Sequence, residues 1–203
     1  MLILKASKKN FLIALEKAKA SNKPIIFPTD TIFGIGAPIS EIKANDCIYK
    51  IKYRKKDKPF PILIGSLEQL STLVNNIFDF QYKFIEKLWP GPFTLIFNAK
   101  NELNELYKEN NKIAVRFPKL TWLTESLKEI DDSITATSAN ISNYEYKSDF
   151  AYIVETFKDF IDIYIYEKKL NIQSSTVIDI SNEGNIKFIR NPGLLNLDDQ
   201  LFK

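Results

Sequence analysis

Histidine is absent from the 203-residue chain. That removes Ser-His-Asp and Cys-His nucleophilic catalysis, imidazole-ligated metals and any acid–base step through an imidazole. The single cysteine, Cys47, cannot close an internal disulfide, and there is no cysteine cluster for structural zinc or an iron–sulfur centre. A reducing, cytoplasmic setting fits that usage. No apolar run is long enough to span a bilayer, and the N-terminus is broken by Lys5, Lys8, Lys9, Lys17 and Lys19, so it does not read as a signal peptide. Glycine is scarce, 6 of 203, so Gly34, Gly36 and Gly91 are expected where a side chain is not tolerated. Arginine is scarcer still. Of 28 basic residues only Arg54, Arg116 and Arg190 are arginine, and the rest are lysine. A guanidinium grips carboxylate or phosphate with two parallel bonds and an ammonium does not, so each arginine is a candidate ligand contact, with a structural ion pair as the even alternative.

What is present is ordinary for a globular chain: 45% hydrophobic residues and 26% charged, with a net charge of +3 that is too weak to name nucleic acid as partner. Ser7 can cap a helix whose Phe11, Leu12, Leu15 and Ala18 share one face. Apolar, β-rich runs predict strands at 24–27, 60–64, 93–97, 113–117, 134–136, 161–166, 177–180 and 186–189. Helical spacing occupies 45–53, 67–74, 78–88, 120–130 and 148–157. This alternation, with unbroken apolar runs at 93–97 and 161–166 that suit strands covered on both faces, predicts an α/β fold. The expectation is one domain over 1–203, with a twisted, mostly buried mixed sheet flanked by helices.

Chemistry gathers at the ends of these elements. Phe27-Pro28-Thr29-Asp30-Thr31-Ile32-Phe33-Gly34-Ile35-Gly36 puts hydroxyls, a carboxylate and two glycines after a short strand, which reads as a loop able to expose backbone N–H groups. Neither a dinucleotide fingerprint nor a Walker A sequence occurs. The Thr31 hydroxyl reads more simply as a buried structural group. Lys50, Lys52, Arg54, Lys55, Lys56 and Lys58 crowd a helix end, where the dipole favours cations. Such a run is usually a solvated face; a polyphosphate would need several of these cations at once, and a tRNA-facing patch would use the same residues. Arg116 falls in the apolar stretch Ala114-Val115-Arg116-Phe117-Pro118, where an unpaired guanidinium is costly, so it must have a partner: a protein carboxylate or a substrate carboxylate. Ser138 and Asn140, two apart in Ser138-Ala139-Asn140, project side by side from an extended backbone, with helix capping by Ser138 as the rival reading.

These pieces resemble one family. Pro28-Thr29-Asp30-Thr31, Lys52-x-Arg54 with Lys58-Pro59, Trp89-Pro90-Gly91-Pro92, Ala114-Val115-Arg116, Ser138-Ala139-Asn140, Ser175-Thr176-Val177 and Arg190 occur in the order of the YrdC/TsaC family, the threonylcarbamoyl-AMP synthases, from about residue 10 to residue 193. The chain resembles the single-domain form. Departures fall at Phe33, where many members have tyrosine, at Ser174, in place of a common glutamate, and at Asn191, inside the usual Arg-Pro-Gly.

The resemblance implies a cytoplasmic nucleotidyltransferase that makes threonylcarbamoyl-AMP and pyrophosphate from L-threonine, bicarbonate and ATP, with Mg2+ on the triphosphate. The product would pass to a tRNA-modification transfer complex, with weak direct tRNA binding and no membrane association. Carried over by motif, Thr31, Arg116, Ser138 and Ser175 would hold threonine, with Arg116 on its carboxylate. Lys52, Arg54, Lys58, Ser138, Asn140 and Arg190 would engage ATP, Lys52 and Arg54 being the catalytic pair that offsets charge as pyrophosphate leaves; no residue is expected to ligate a metal. Two other readings use the same fold: a non-catalytic module for double-stranded RNA, and a carbamoyl-transfer enzyme of the hydrogenase-maturation type, whose additional acylphosphatase and zinc modules 203 residues do not accommodate.

Overall fold

A computed structural model describes residues 1–56, 58–168, 170 and 173–193; the last ten residues of the expected 1–203 domain lie outside the described residues. The first strand, β1 (Leu2–Lys5), leads into α1 (Lys8–Ser21). The Ser7 hydroxyl accepts from the Asn10 amide at 3.2 Å, and Asn22 closes the helix in the left-handed region. Phe11, Ala14, Leu15 and Ala18 are its buried face. β2 (Ile25–Pro28) and β3 (Phe33–Gly36) form an antiparallel hairpin. There follow α2 (Ile42–Ile51), β4 (Ile62–Leu63), α3 (Leu67–Leu73), α4 (Asp79–Leu88), β5 (Phe93–Asn98), β6 (Lys112–Arg116) and α5 (Thr121–Glu129). The chain continues through β7 (Ile134–Thr135), β8 (Thr137–Ser138), α6 (Phe150–Phe157), β9 (Ile163–Tyr166), β10 (Thr176–Asp179) and β11 (Lys187–Arg190).

The mixed α/β architecture is that read from the sequence, but the strands divide between two sheets. One runs β1-β9-β2-β3-β8 and the other β11-β10-β5-β6-β4-β7. Both mix parallel and antiparallel pairs. The stretch read as one strand at 134–136 is where they meet: β7 belongs to the second sheet and β8 to the first, with Ala136 between them donating its N–H to the Pro61 carbonyl at 2.8 Å.

The sequence places 33–36 in a loop, because two glycines in four residues weaken the strand preference of Phe33 and Ile35. Pairing on both sides makes it a strand, with Gly34 opposite Phe27 on β2 and opposite Ser138 on β8. A Cβ on Gly36 would stand 1.8 Å from the Thr135 carbonyl oxygen, so only glycine lets the two sheets approach here. Gly34 is different, since a Cβ there would meet the Thr137 oxygen at 3.4 Å, an ordinary contact. Three apolar clusters fill the interior. The largest packs α3 and α4 through Leu70, Phe84 and Leu88 against Leu95, Phe97 and Val115 of the second sheet. Each such side chain contributes about 1.5–3 kcal/mol when fully buried. Among the described residues no helix is long and apolar enough to cross a membrane.

Candidate functional site

The β2–β3 turn, Thr29 to Ile32, is closed by the Thr29 amide on the Ile32 carbonyl at 3.1 Å. The Thr29 hydroxyl donates to the same carbonyl at 2.8 Å and accepts from the Thr31 and Ile32 amides at 3.2 Å. With its one proton spent there, the Thr29 hydroxyl can only accept from the Thr31 hydroxyl, 2.9 Å away. Thr31 therefore turns a lone pair outward, and Arg116 Nη1 donates to it at 2.9 Å.

Arg116 ends β6 and is 5% exposed. Its Nε donates to the Gly91 carbonyl at 3.1 Å, and its Nη2 pairs with the Asp30 carboxylate. The partner demanded by its apolar setting is therefore present within the protein. These bonds use three of its five N–H donors, and the guanidinium still lines the cavity described below. Trp89-Pro90-Gly91-Pro92 thus has a local purpose: its Gly91 carbonyl aims the Arg116 fork. Opposite Arg116 in the β5–β6 ladder lies Thr94, whose hydroxyl is 2.9 Å from that of Ser175. Arg190 holds Ser175 twice, Nε to the carbonyl at 2.8 Å and Nη2 to the hydroxyl at 3.0 Å.

These groups enclose a cavity of about 310 Å³, in the size range of small-ligand sites. Its wall includes Thr31, Arg54, Arg116, Ser138, Ser175 and Arg190 from the predicted set, together with Thr29, Thr94, Thr137 and Ser174. All three arginines of the chain are on it, and among the described residues that line it there is no carboxylate. Arg54 is held by the Lys58 carbonyl on Nε at 2.9 Å and lies over the Phe60 ring, 5.0 Å from its centroid. Burial, and behind it the charge of Arg116, lowers the Arg190 pKa. Two guanidiniums facing one space favour an anionic occupant.

Three residues of the predicted set are placed elsewhere. Lys52, at the end of α2, is 1% exposed, and its ammonium donates to the carbonyls of Ser138 and Asn140 and to Asn140 Oδ1, at 3.3 Å for the last. Three protons meet three oxygens, so Lys52 braces the Ser138–Asn140 loop from behind instead of lining the cavity. Burial, reinforced by the nearby Arg54 charge, pushes its pKa down to about 7. Asn140 also stays off the wall: its Oδ1 accepts from the Ser138 hydroxyl at 2.6 Å and its Nδ2 donates to the Tyr144 carbonyl. Ser138 is thus neither a helix cap nor free to rotate. Lys58 is exposed, next to Pro59 of the wall. Tyr53, between Lys52 and Arg54, has φ 52°, a left-handed turn that sends one cation inward and the other into the cavity. Asp30 and Thr94 had no assigned role in the sequence reading. Only the hairpin and the β5–β6 register bring them to Arg116, and no local pattern signals either.

The family model for Sua5, YciO and YrdC, which carries the description telomere recombination, matches residues 17–192. The threonylcarbamoyl-AMP synthase of Pyrococcus abyssi is 30% identical over 162 residues, 78% of this chain and 47% of that protein; the chain spans about half the length of that relative. The crystal structure of P. abyssi Sua5 complexed with L-threonine is 28% identical with a TM-score of 0.80, covering 89% of this chain and 54% of the other. Escherichia coli YciO shares the fold over 100% of this chain and 97% of its own, with a TM-score of 0.83 at 21% identity. With the family model covering most of its length and the motif arginines gathered around one cavity, this chain belongs to the Sua5/YciO/YrdC family.

Proposed function

We propose that the chain is an L-threonylcarbamoyladenylate synthase, joining L-threonine, bicarbonate and ATP into threonylcarbamoyl-AMP with release of pyrophosphate, for N6-threonylcarbamoyladenosine modification of tRNA through a transfer complex. The observation that carries this reading is the cavity wall: three guanidiniums and a ring of hydroxyls with no carboxylate among them. The P. abyssi Sua5 structure described as complexed with L-threonine, and the P. abyssi relative named threonylcarbamoyl-AMP synthase, support it.

The chemistry needs no protein nucleophile. The neutral amine of threonine attacks the carbon of bicarbonate with loss of water, or of CO2 with loss of an amine proton, and an oxygen of the resulting carbamate displaces pyrophosphate from the α-phosphate of ATP. The protein's part is to hold the reactants and offset their charge. Arg116, aimed by the Thr31 hydroxyl and the Gly91 carbonyl, suits the threonine carboxylate, and Arg190, fixed on Ser175, suits phosphate oxygens together with Arg54. Lys52 acts one step back by holding the Ser138–Asn140 loop, and Asn140 keeps the Ser138 hydroxyl in place. Lys58 can reach a nucleotide only from outside the cavity. Mg2+ bound by the triphosphate would neutralise part of its charge; among the described residues no group of three or more acidic or thiol side chains gathers to hold a metal by itself. A module for double-stranded RNA is less favoured, because a duplex backbone cannot reach an arginine that is 5% exposed.

The deciding experiment is mass spectrometry and pyrophosphate detection on a mixture of the protein with ATP, L-threonine, bicarbonate and Mg2+. A labile adenylate is expected only when all are present. Pyrophosphate release that does not depend on threonine overturns the synthase reading.

A further inference from the structure

The two deepest guanidiniums of the cavity keep different company. Arg116 is paired with Asp30, and the side chains of both are under a tenth exposed, at 6% and 9%. The carboxylate is itself fixed, because its Oδ2 accepts from the Lys119 amide at 3.0 Å. It cannot easily swing away from Arg116 towards a ligand. Among the described residues, Arg190 bonds the neutral carbonyl and hydroxyl oxygens of Ser175 and no carboxylate. One end of the cavity therefore carries a guanidinium already matched by a negative charge, and the other a guanidinium that is not. Poor hydration amplifies that contrast. A polyanion at the Arg116 end would face the Asp30 carboxylate behind the guanidinium, whereas a zwitterion brings no net charge and still fills the two remaining N–H donors with its carboxylate.

We infer that Asp30 is a specificity-determining residue: by neutralising Arg116 it reserves that end for the carboxylate of a zwitterionic amino acid and directs phosphates to the Arg190 end. This rests on the synthase reading. Without such a device, a cavity with three arginines would let phosphate compete for the amino-acid position, a problem of excluding the wrong ligand as much as of binding the right one.

Calorimetric titration of the full chain with L-threonine and with pyrophosphate tests the assignment. In the wild type, saturating pyrophosphate should leave threonine affinity within about twofold. In Asp30→Asn, threonine on its own should change by less than about threefold, because its carboxylate keeps the two remaining Arg116 donors. Pyrophosphate should bind about tenfold more tightly and now displace threonine. Asp30→Glu, which keeps the charge, should restore the exclusion of pyrophosphate even where its longer arm lowers threonine affinity. A purely structural role would weaken both ligands together in Asp30→Asn, and that result, or no change in either, overturns the inference. If thermal melts show Asp30→Asn unfolded, the wild type still decides: displacement of threonine by pyrophosphate there is equally fatal. A wild type that binds pyrophosphate but no threonine would instead remove the synthase reading itself, and the role of Asp30 with it.

Discussion

Arg116, at the end of β6, and Lys52, at the end of α2, are both nearly without solvent contact, yet they are buried on opposite terms. Arg116 has a carboxylate beside it and turns its remaining donors to a cavity. Lys52 has, among the described residues, neutral oxygens as its hydrogen-bond partners, and a second cation, Arg54, near enough to lower its pKa. A guanidinium keeps its proton in any protein setting, so burying it calls for a counter-charge. An ammonium has another exit, because it can shed the proton. Three acceptor oxygens hold the proton on Lys52, while desolvation and Arg54 drive it off. The comparison separates a cation that presents charge to a ligand from one that ties a loop together.

The strongest way to break the comparison is Arg116→Met, which takes the guanidinium away from the Asp30 carboxylate. Stability should fall by about 3–5 kcal/mol, read by urea unfolding at neutral pH, and threonine binding should vanish. Lys52→Met should cost less at the same pH, because it leaves neutral oxygens without the ammonium donor and not a charged carboxylate; an equal loss in both variants would erase the distinction.

Arg116→Lys is gentler. It keeps one positive charge and the pairing with Asp30 but loses the planar fork, so threonine affinity should drop about tenfold to a hundredfold with ATP affinity little changed. Unchanged threonine affinity by calorimetry would return Arg116 to a structural ion pair. Arg190→Lys should show the reverse preference, with ATP weaker by about tenfold and threonine altered less than threefold.

A last contrast concerns pH, where the effect per unit is small and accumulates over the window. The folded-state pKa of Lys52, about 7, lies below its ordinary value of 10.5. Between those values the unfolded chain binds more protons at this site than the folded one, so stability should rise with pH over that window, by at most about 1.4 kcal/mol per pH unit. Denaturant titrations from pH 7 to 10 on wild type and Lys52→Met should differ in slope, the variant being flatter. Identical slopes would mean that the three oxygens win and Lys52 stays charged throughout.

Much of this molecule was written locally. Helix α1 is legible from Ser7 and the spacing of Phe11, Leu15 and Ala18, and the single apolar runs at 93–97 and 113–117 became the paired strands β5 and β6, because an apolar face and a cap act within a turn or two of the chain. The absence of histidine and the rarity of arginine narrow the chemistry at the level of residue type, since no other side chain has an unperturbed pKa near neutrality and none offers the same planar fork to an anion. Long-range pairing was hidden. The Phe-Gly-Ile-Gly stretch is a strand only because β2 and β8 flank it, and Gly36 is required only because Thr135 comes from another sheet. Likewise the sequence marked Arg116 as needing a partner without naming Asp30, which is 86 residues away and reaches it through a hairpin turn. It grouped Lys52 with Arg54 as neighbours in one cationic run, whereas a left-handed residue between them turns one into the interior and the other to the cavity. Residue type and spacing dictate what a segment of this protein can do; which charges face one another depends on sheet register, a property of strands that are distant in sequence, and only the tertiary structure decides it.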